Sequence, residues 1–211
     1  HVRHPINAAY AVKTKSPHVM LSGAGAEEFA KEQGLEMVED NMYFATPKTM
    51  EWIEKLKQES KKNGTVGCVV LDKQGNLTAG TSTGGMFKKR WGRIGDSPVI
   101  GAGTYADNNS CAVSCTGHGE YFIRHAVAFD VCARYKYLKE SVEKAADYII
   151  HTELNTNAGN GGLIAVDKLG NIAMPYNSGG MFRGFLYKEK GSPEIKKGCG
   201  IGKKIVVVGE K

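Results

Sequence analysis

Gly64 and Thr65 meet where a lysine-rich polar stretch gives way to an apolar run, in KKNGTVGCVVL. A threonine hydroxyl is a weak nucleophile unless a base lies within hydrogen-bond reach, and no histidine or carboxylate stands near Thr65 in sequence. A threonine at a chain N-terminus carries its own base, because a free α-amine titrates near pKa ~8 and sits beside its hydroxyl. Cleavage between Gly64 and Thr65 would create that terminus. Glycine on the acyl side admits an approach that a β-carbon would obstruct. Further segments gather small hydroxyl and glycine residues: TSTGGM, whose last hydroxyl is Thr83; GRIGDSP, with Arg93, Ile94, Gly95 and Asp96; and SCTGHGE, with Thr116, Gly117, His118 and Gly119. Each by itself reads as a turn or strand end, since these residue types are turn formers first. Their joint occurrence beside apolar runs is what makes them candidates. HExxH and GxSxG are absent, and GCGIGKK lacks the spacing and the Ser/Thr of a phosphate loop.

The elements that must hold these residues fall into two textures. The first third reads as helices. INAAYAVKTK runs up to Ser16-Pro17, where the residue before proline leaves the α region. GAEEFAKEQG closes on Gly34 as a C-cap. TPKTMEWIEKLKQESKKNG opens with Thr46 as N-cap and Pro47 at the first helical position, carries a narrow stripe of Met50, Ile53 and Leu56, and ends at Gly64. After Gly64 the pattern becomes that of a hairpin in a buried sheet: an apolar run from Val66 to Leu71, the turn signal DKQGN, and a second run. LIAVDKLGNIAMPYNSGGM repeats it, placing Asp167, Lys168, Gly170, Asn171, Gly179, Gly180 and Met181 in register with Asp72, Lys73, Gly75, Asn76, Gly84, Gly85 and Met86. Two copies are too few for a solenoid and fit two similar hairpins in one architecture. Between them HGEYFIRHAVAFDVCARYKYL and SVEKAADYIIHTEL carry apolar residues at helical spacing. Hairpin, helices, hairpin is the order of an α+β layered domain.

Composition narrows the setting. The 211 residues are 41% hydrophobic and 24% charged, which suits a folded domain with a substantial core. No apolar run approaches the ~18 residues of a membrane span, and HVRHPINAAY lacks the features of a signal peptide, so a cytoplasmic protein with no membrane partner is expected. The cysteines are odd in number, 5, and mostly sit in apolar runs, which favours reduced, core-packed thiols; no zinc pattern follows. Net charge is +6, but residues 1–64 balance at nine basic and nine acidic, while from Leu186 onward seven lysines face three glutamates. A lysine-rich tail without arginine or interleaved aromatics reads as a solvated surface, and no nucleic-acid partner is expected.

Taken in order, GTVGCVVLDKQGN, TSTGGM, GRIGDSP, GAGTYAD and SCTGHGE resemble the plant-type L-asparaginases, or isoaspartyl peptidases, of the N-terminal-nucleophile hydrolases. The resemblance is dense from residue 64 to about 186, and AVKTKSPHVMLSGAGAEEFAKEQG resembles the later part of that family's α-subunit. It implies an α+β fold, a four-layer αββα sandwich, in which a precursor cuts itself at the Gly64–Thr65 bond. Residues 1–64 would then be the C-terminal part of the α-subunit, residues 65–211 the β-subunit, and the two together one domain. The family's α-subunit is longer by about a hundred residues, a substantial share of a typical domain, so an earlier portion is expected before His1; the linker before Gly64 is also short for the family.

Thr65 matches the nucleophile and new N-terminus, and Thr83 the residue that orients it. Arg93 and Asp96, flanking Ile94 and Gly95, match the pair that holds a substrate's α-carboxylate and α-amine, which agrees with guanidinium–carboxylate and carboxylate–ammonium chemistry. Thr116 and Gly117 match the oxyanion donors, and His118 and Gly119 complete their loop. The alternatives are that Arg93 and Asp96 form a plain loop ion pair, that Thr116 caps the next helix, and that His118 is a general base, a cap or a surface residue. The implied substrates are L-asparagine and β-aspartyl dipeptides, with a glycosylasparaginase or an uncleaved binding module as alternatives. The α and β subunits would stay associated and pair into a dimer of αβ units. No organic cofactor or catalytic metal is implied; in some relatives a loop matching roughly Val12 to Val19 binds an alkali cation, Na or K, through carbonyl oxygens.

Overall fold

A computed structural model describes residues 1–47, 50–51, 64–188, 195–200 and 206–209. The chain divides into two compact units, residues 1–63 with 84–90, and residues 64–83 with 91–211.

The first unit is helical, as its sequence predicts. Helix α1 spans Pro5–Lys15, with proline in its first turn and an extended Ser16 ending it before Pro17. Helix α2 spans Gly23–Glu32, two residues earlier at each end than the sequence suggests. Gly34 follows with φ +68°, and its N–H donates to the Lys31 carbonyl at 2.9 Å, closing orphan carbonyls as a left-handed cap does. Of the next helix, Pro47, Met50 and Glu51 are helical, and the Met50 N–H donates to the Thr46 carbonyl at 2.9 Å, which supports the predicted start. Its expected end at Gly64 and the Ile53 and Leu56 positions of its stripe lie outside the described residues.

The second unit is layered. Strands β1 (Thr65–Leu71) and β2 (Leu77–Thr83) form a two-stranded antiparallel hairpin. Strands β3 (Thr104–Ala106), β4 (Cys111–Gly117), β5 (Gly161–Asp167) and β6 (Ile172–Ala173) form an antiparallel sheet in that order. A third sheet orders β7 (Arg183–Lys188), β8 (Ile195–Gly200) and β9 (Val206–Gly209). Helices α3 (Gly119–Arg124), α4 (Val127–Tyr137) and α5 (Val142–Tyr148) fill the interval between β4 and β5 in sequence.

Strand β4 is buried on both faces, so its residues sort by parity. Cys111, Val113 and Cys115 point, with Leu163 and Ala165 of β5, into a core shared with Phe122, Val127, Val131, Ile149 and Ile150 of the helical layer. Each of those large side chains is essentially solvent-free and stabilises the fold by about 1.5–3 kcal/mol in transfer terms. Ala112 and Val166 face the other way, onto Leu77, Val69, Leu71 and Ala79 of the β1–β2 hairpin. The order across this unit is therefore helices, four-stranded sheet, hairpin.

The hairpin departs from one expectation. Val66 to Leu71 reads as a fully buried run, yet exposure alternates along β1 and Val66 is 69% exposed. A two-stranded ribbon covered on one face shows this alternation. The cysteines divide for the same reason: Cys111, Cys115 and Cys132 are buried, with Cys111 Sγ and Cys132 Sγ 2.8 Å apart, whereas Cys68 on the outer face of β1 and Cys199 are exposed. The repeat in the sequence is a repeat in structure. Asp72 Oδ1 accepts from the N–H groups of Gln74 and Asn76, and its Oδ2 from the Asn76 side chain; Asp167 does the same with Leu169 and Asn171. Gly75 and Gly170 hold φ of +85° and +90° in these turns, as a left-handed position requires. Among the described residues no helix is long and apolar enough to cross a membrane.

Candidate active site

Register places the first two candidate residues. The β1–β2 pairing sets Thr65 opposite Thr83 at the open end of the hairpin. Thr65 Oγ1 donates to Thr83 Oγ1 at 3.3 Å, and Thr83 Oγ1 donates to the Gly64 carbonyl at 3.4 Å. The hydroxyl of Thr65 and the carbonyl of the bond before it thus meet at one neighbouring hydroxyl.

Side-chain alternation then aims this pair inward. Thr65 shares a face with Gly67, and Thr83 with Thr81, at period two. Thr81 Oγ1 and Ser114 Oγ of β4 are 2.7 Å apart, so this face is the one laid on the four-stranded sheet. The approach is close enough that a β-carbon on Gly67 would stand 2.1 Å from Ser114 Oγ. On β4 the same parity carries Ala112, Ser114 and Thr116, so Thr116 faces the hairpin layer as Thr65 does. Thr116 belongs to β4 and pairs with Gly162, and Gly117 pairs with Gly161; the N-cap of α3 is His118, so Thr116 is not the helix cap.

Thr81 Oγ1 also donates to the Gly103 carbonyl at 3.2 Å, and Gly103 packs so tightly on the main chain of Asp96 that a β-carbon would fall 2.4 Å from the Asp96 carbonyl oxygen. The Arg93–Asp96 turn is thereby anchored beside the hairpin. Asp96 is buried, 6% exposed, and its Oδ2 has no hydrogen-bond partner among the described residues. Burial pushes its carboxyl above the ordinary range; its own backbone N–H and the Arg93 charge pull the other way. An unpartnered buried carboxylate oxygen is costly and marks a place for a donor. Ile94 between the two is exposed, and Gly95 lies against the Arg93 guanidinium.

Arg93 does not pair with Asp96, contrary to the plain ion-pair reading. Its Nε and Nη2 donate to Glu120 Oε1 and Oε2 at 2.9 and 2.7 Å, and this bidentate bond holds the Glu120 carboxyl down at about 2. His118 Nε2 stands 3.3 Å from Glu120 Oε2, and its ring packs edge-on to Tyr121. Gly119 is buried between Arg93 and Asp96. Sequence reasoning passed over Glu120, although it stands in SCTGHGE, because nothing local pairs it with an arginine 27 residues away. It also passed over Asn177, whose Oδ1 accepts from the Gly161 N–H at 2.8 Å and whose Nδ2 donates to the carbonyls of Ile150 and Gly159. The repeat register sets Asn177 opposite Ser82, the one sequence signal that singles it out.

Among the described residues no three His, Cys, Asp or Glu side chains gather into a metal cluster. A hard cation would use backbone oxygens. At the end of α1 the Val12 carbonyl accepts from Ser16 Oγ at 2.8 Å.

The asparaginase family model matches residues 1–195, and the chain belongs to that family. It is 47% identical to an isoaspartyl peptidase of Salmonella typhimurium over 89% of this chain and 64% of that protein. It is 42% identical to an isoaspartyl peptidase of Escherichia coli, over 90% and 67%, and 42% identical to a probable isoaspartyl peptidase/L-asparaginase of Arabidopsis thaliana, over 87% and 65%. The chain spans about two thirds of the length of these relatives.

Proposed function

We propose that the protein is a self-processing threonine amidohydrolase that cleaves L-asparagine to aspartate and ammonia and hydrolyses β-aspartyl dipeptides. The observation that carries the reading is the hydroxyl relay in which Thr65 Oγ1 meets Thr83 Oγ1 and Thr83 Oγ1 reaches the Gly64 carbonyl. In processing, Thr65 Oγ1 attacks the Gly64 carbonyl carbon, with Thr83 donating to the developing oxyanion. The acyl group moves from nitrogen to oxygen, and water hydrolyses the ester, leaving a Gly64 carboxylate and a free Thr65 amine.

In turnover, Thr65 Oγ1 attacks the side-chain amide carbon of the substrate while the α-amine takes the hydroxyl proton and passes it to the leaving nitrogen. Thr83 orients the nucleophile, and Thr116 and Gly117 donate to the tetrahedral oxyanion, where losing one donor costs on the order of 100-fold in rate. Water then hydrolyses the β-aspartyl ester, with the amine as base. Arg93 and Asp96 hold the α-carboxylate and α-ammonium, and the buried, unpartnered Asp96 Oδ2 supports the second role. His118 and Gly119 shape the loop.

The reading carries a four-layer αββα sandwich built from an α-chain through Gly64 and a β-chain from Thr65. These stay together as a dimer of αβ units in the cytoplasm, without an organic cofactor, and an alkali cation sits on carbonyl oxygens near residues 12–19. The similarity to isoaspartyl peptidases and to a probable isoaspartyl peptidase/L-asparaginase supports the substrate class. Denaturing electrophoresis with N-terminal sequencing tests it: a new fragment should begin Thr-Val-Gly-Cys, and a chain that stays intact on prolonged incubation would overturn the reading.

A further inference from the structure

Arg93 is engaged before any ligand arrives. Glu120 takes its Nε and Nη2 edge in a bidentate bond at 2.9 and 2.7 Å. A guanidinium has five N–H donors in a planar fork, so that bond leaves the Nη1/Nη2 edge as a second bidentate face. Asp96 also stands against Gly119. A β-carbon on Gly119 would lie 2.7 Å from Asp96 Oδ1 and 3.0 Å from Arg93 Nη2, so the two charged groups flank one α-carbon. Groups that close would ordinarily pair, and an Asp96 oxygen without a partner should attract the nearest cation. Yet no ion pair joins them among the described residues, and Asp96 Oδ2 keeps no partner. Glu120 is the carboxylate that Arg93 engages instead, and His118 Nε2 stands 3.3 Å from its Oε2.

We propose that Glu120 is a positioning residue that pins Arg93 and prevents it from folding onto Asp96, so that cation and anion both stay open to the two charged ends of an α-amino acid. The proposal rests on the zwitterion-binding role given above to Arg93 and Asp96. Without Glu120 the guanidinium swings to the unpartnered carboxylate, and each blocks the other.

The test compares wild type, E120Q and E120A in the full-length protein on L-asparagine and on succinamate, which lacks the α-amine. In E120A the KM for asparagine should rise on the order of tenfold, with kcat changed less than about threefold, as expected when a binding interaction is lost and the chemistry is not. The preference for asparagine over succinamate should shrink, because Asp96 is neutralised by Arg93; a merely structural fault would weaken both substrates alike. Self-cleavage at Gly64–Thr65 should persist. E120Q keeps an acceptor for Nε and should fall between the two, and it carries the comparison if E120A does not fold. An unchanged KM with an unchanged preference overturns the proposal, and so does a fall in KM, which would make Glu120 a competitor for Arg93. Calorimetric binding of L-aspartate separates the two levels of inference. Wild type that turns over neither substrate but binds aspartate on the order of tenfold more tightly than E120A upholds the positioning role while the hydrolase reading fails; equal affinities overturn the positioning role itself.

Discussion

The β1–β2 and β5–β6 hairpins turn on the same aspartate-centred network, yet their open ends have opposite characters. At the first, Thr65 donates to Thr83 at 3.3 Å and Thr83 to the Gly64 carbonyl at 3.4 Å, at a partly exposed edge. At the second, the position in register with Thr65 is Asn160, whose carbonyl accepts from the His118 N–H at 3.0 Å. Ser178, in register with Thr83, donates to the Gly180 carbonyl, and Asn177 clamps Gly161, Gly159 and Ile150. One end is saturated with hydrogen bonds and supports the sheet. The other sets two hydroxyls beside a peptide carbonyl. A local turn rule can therefore be reused, while chemistry depends on what the far end of the ribbon faces.

The hardest blow to that contrast is Thr65→Ala. It should abolish processing and reduce ammonia release by about 10⁴-fold or more, as loss of a nucleophile does; surviving processing would place the chemistry on another threonine. Next, Gly67→Ala should wedge β1 away from β4, because its β-carbon would fall 2.1 Å from Ser114 Oγ and 2.9 Å from Ser114 Cβ. A loss of about 1–3 kcal/mol in denaturant unfolding is expected. Ser114→Gly should recover part of it in a double-mutant cycle, and strict additivity would refute the contact.

The paired turns give a finer comparison. Asp167 is 1% exposed and accepts from the Leu169 and Asn171 N–H groups and the Asn171 side chain, so Asp167→Ala removes a buried acceptor that holds the turn and should cost about 2–3 kcal/mol. Asp72→Ala at the exposed turn should lower Tm clearly less; equal shifts would mean that burial does not distinguish the two turns.

The smallest effect expected is in the pH dependence of the Arg93–Glu120 pair. Its Glu120 carboxyl lies at about 2 against an ordinary 4.5, so the stabilisation is fully present above 4.5 and lost as pH falls through about 2. The Tm difference between wild type and E120Q should therefore narrow on acidification across that window. Glu120 is 39% exposed, so added salt should weaken the effect as well. Asp96 works in the opposite sense, since its carboxyl is raised by burial and protonation relieves that cost.

Residue order alone determined a good deal of this protein. The Asp-Lys-x-Gly-Asn repeat is legible because a turn closes within five residues, and the helix ends at Ser16 and Gly34 follow from proline sterics and a glycine cap. The segments holding Thr65, Thr83, Arg93, Asp96, Thr116 and Gly117 are likewise visible, because their residue types cluster beside apolar runs. Tertiary structure alone decided the rest. Whether β1 is covered on one face or two depends on which sheet it meets, and Val66 and Cys68 prove to be on the open side. That Arg93 pairs with Glu120 and leaves Asp96 Oδ2 without a partner depends on how the loop before β3 packs against the start of α3. Hydrogen bonding and desolvation act over a few ångströms in space, and residues 27 apart in the chain share those ångströms only after the sheet and helices have folded.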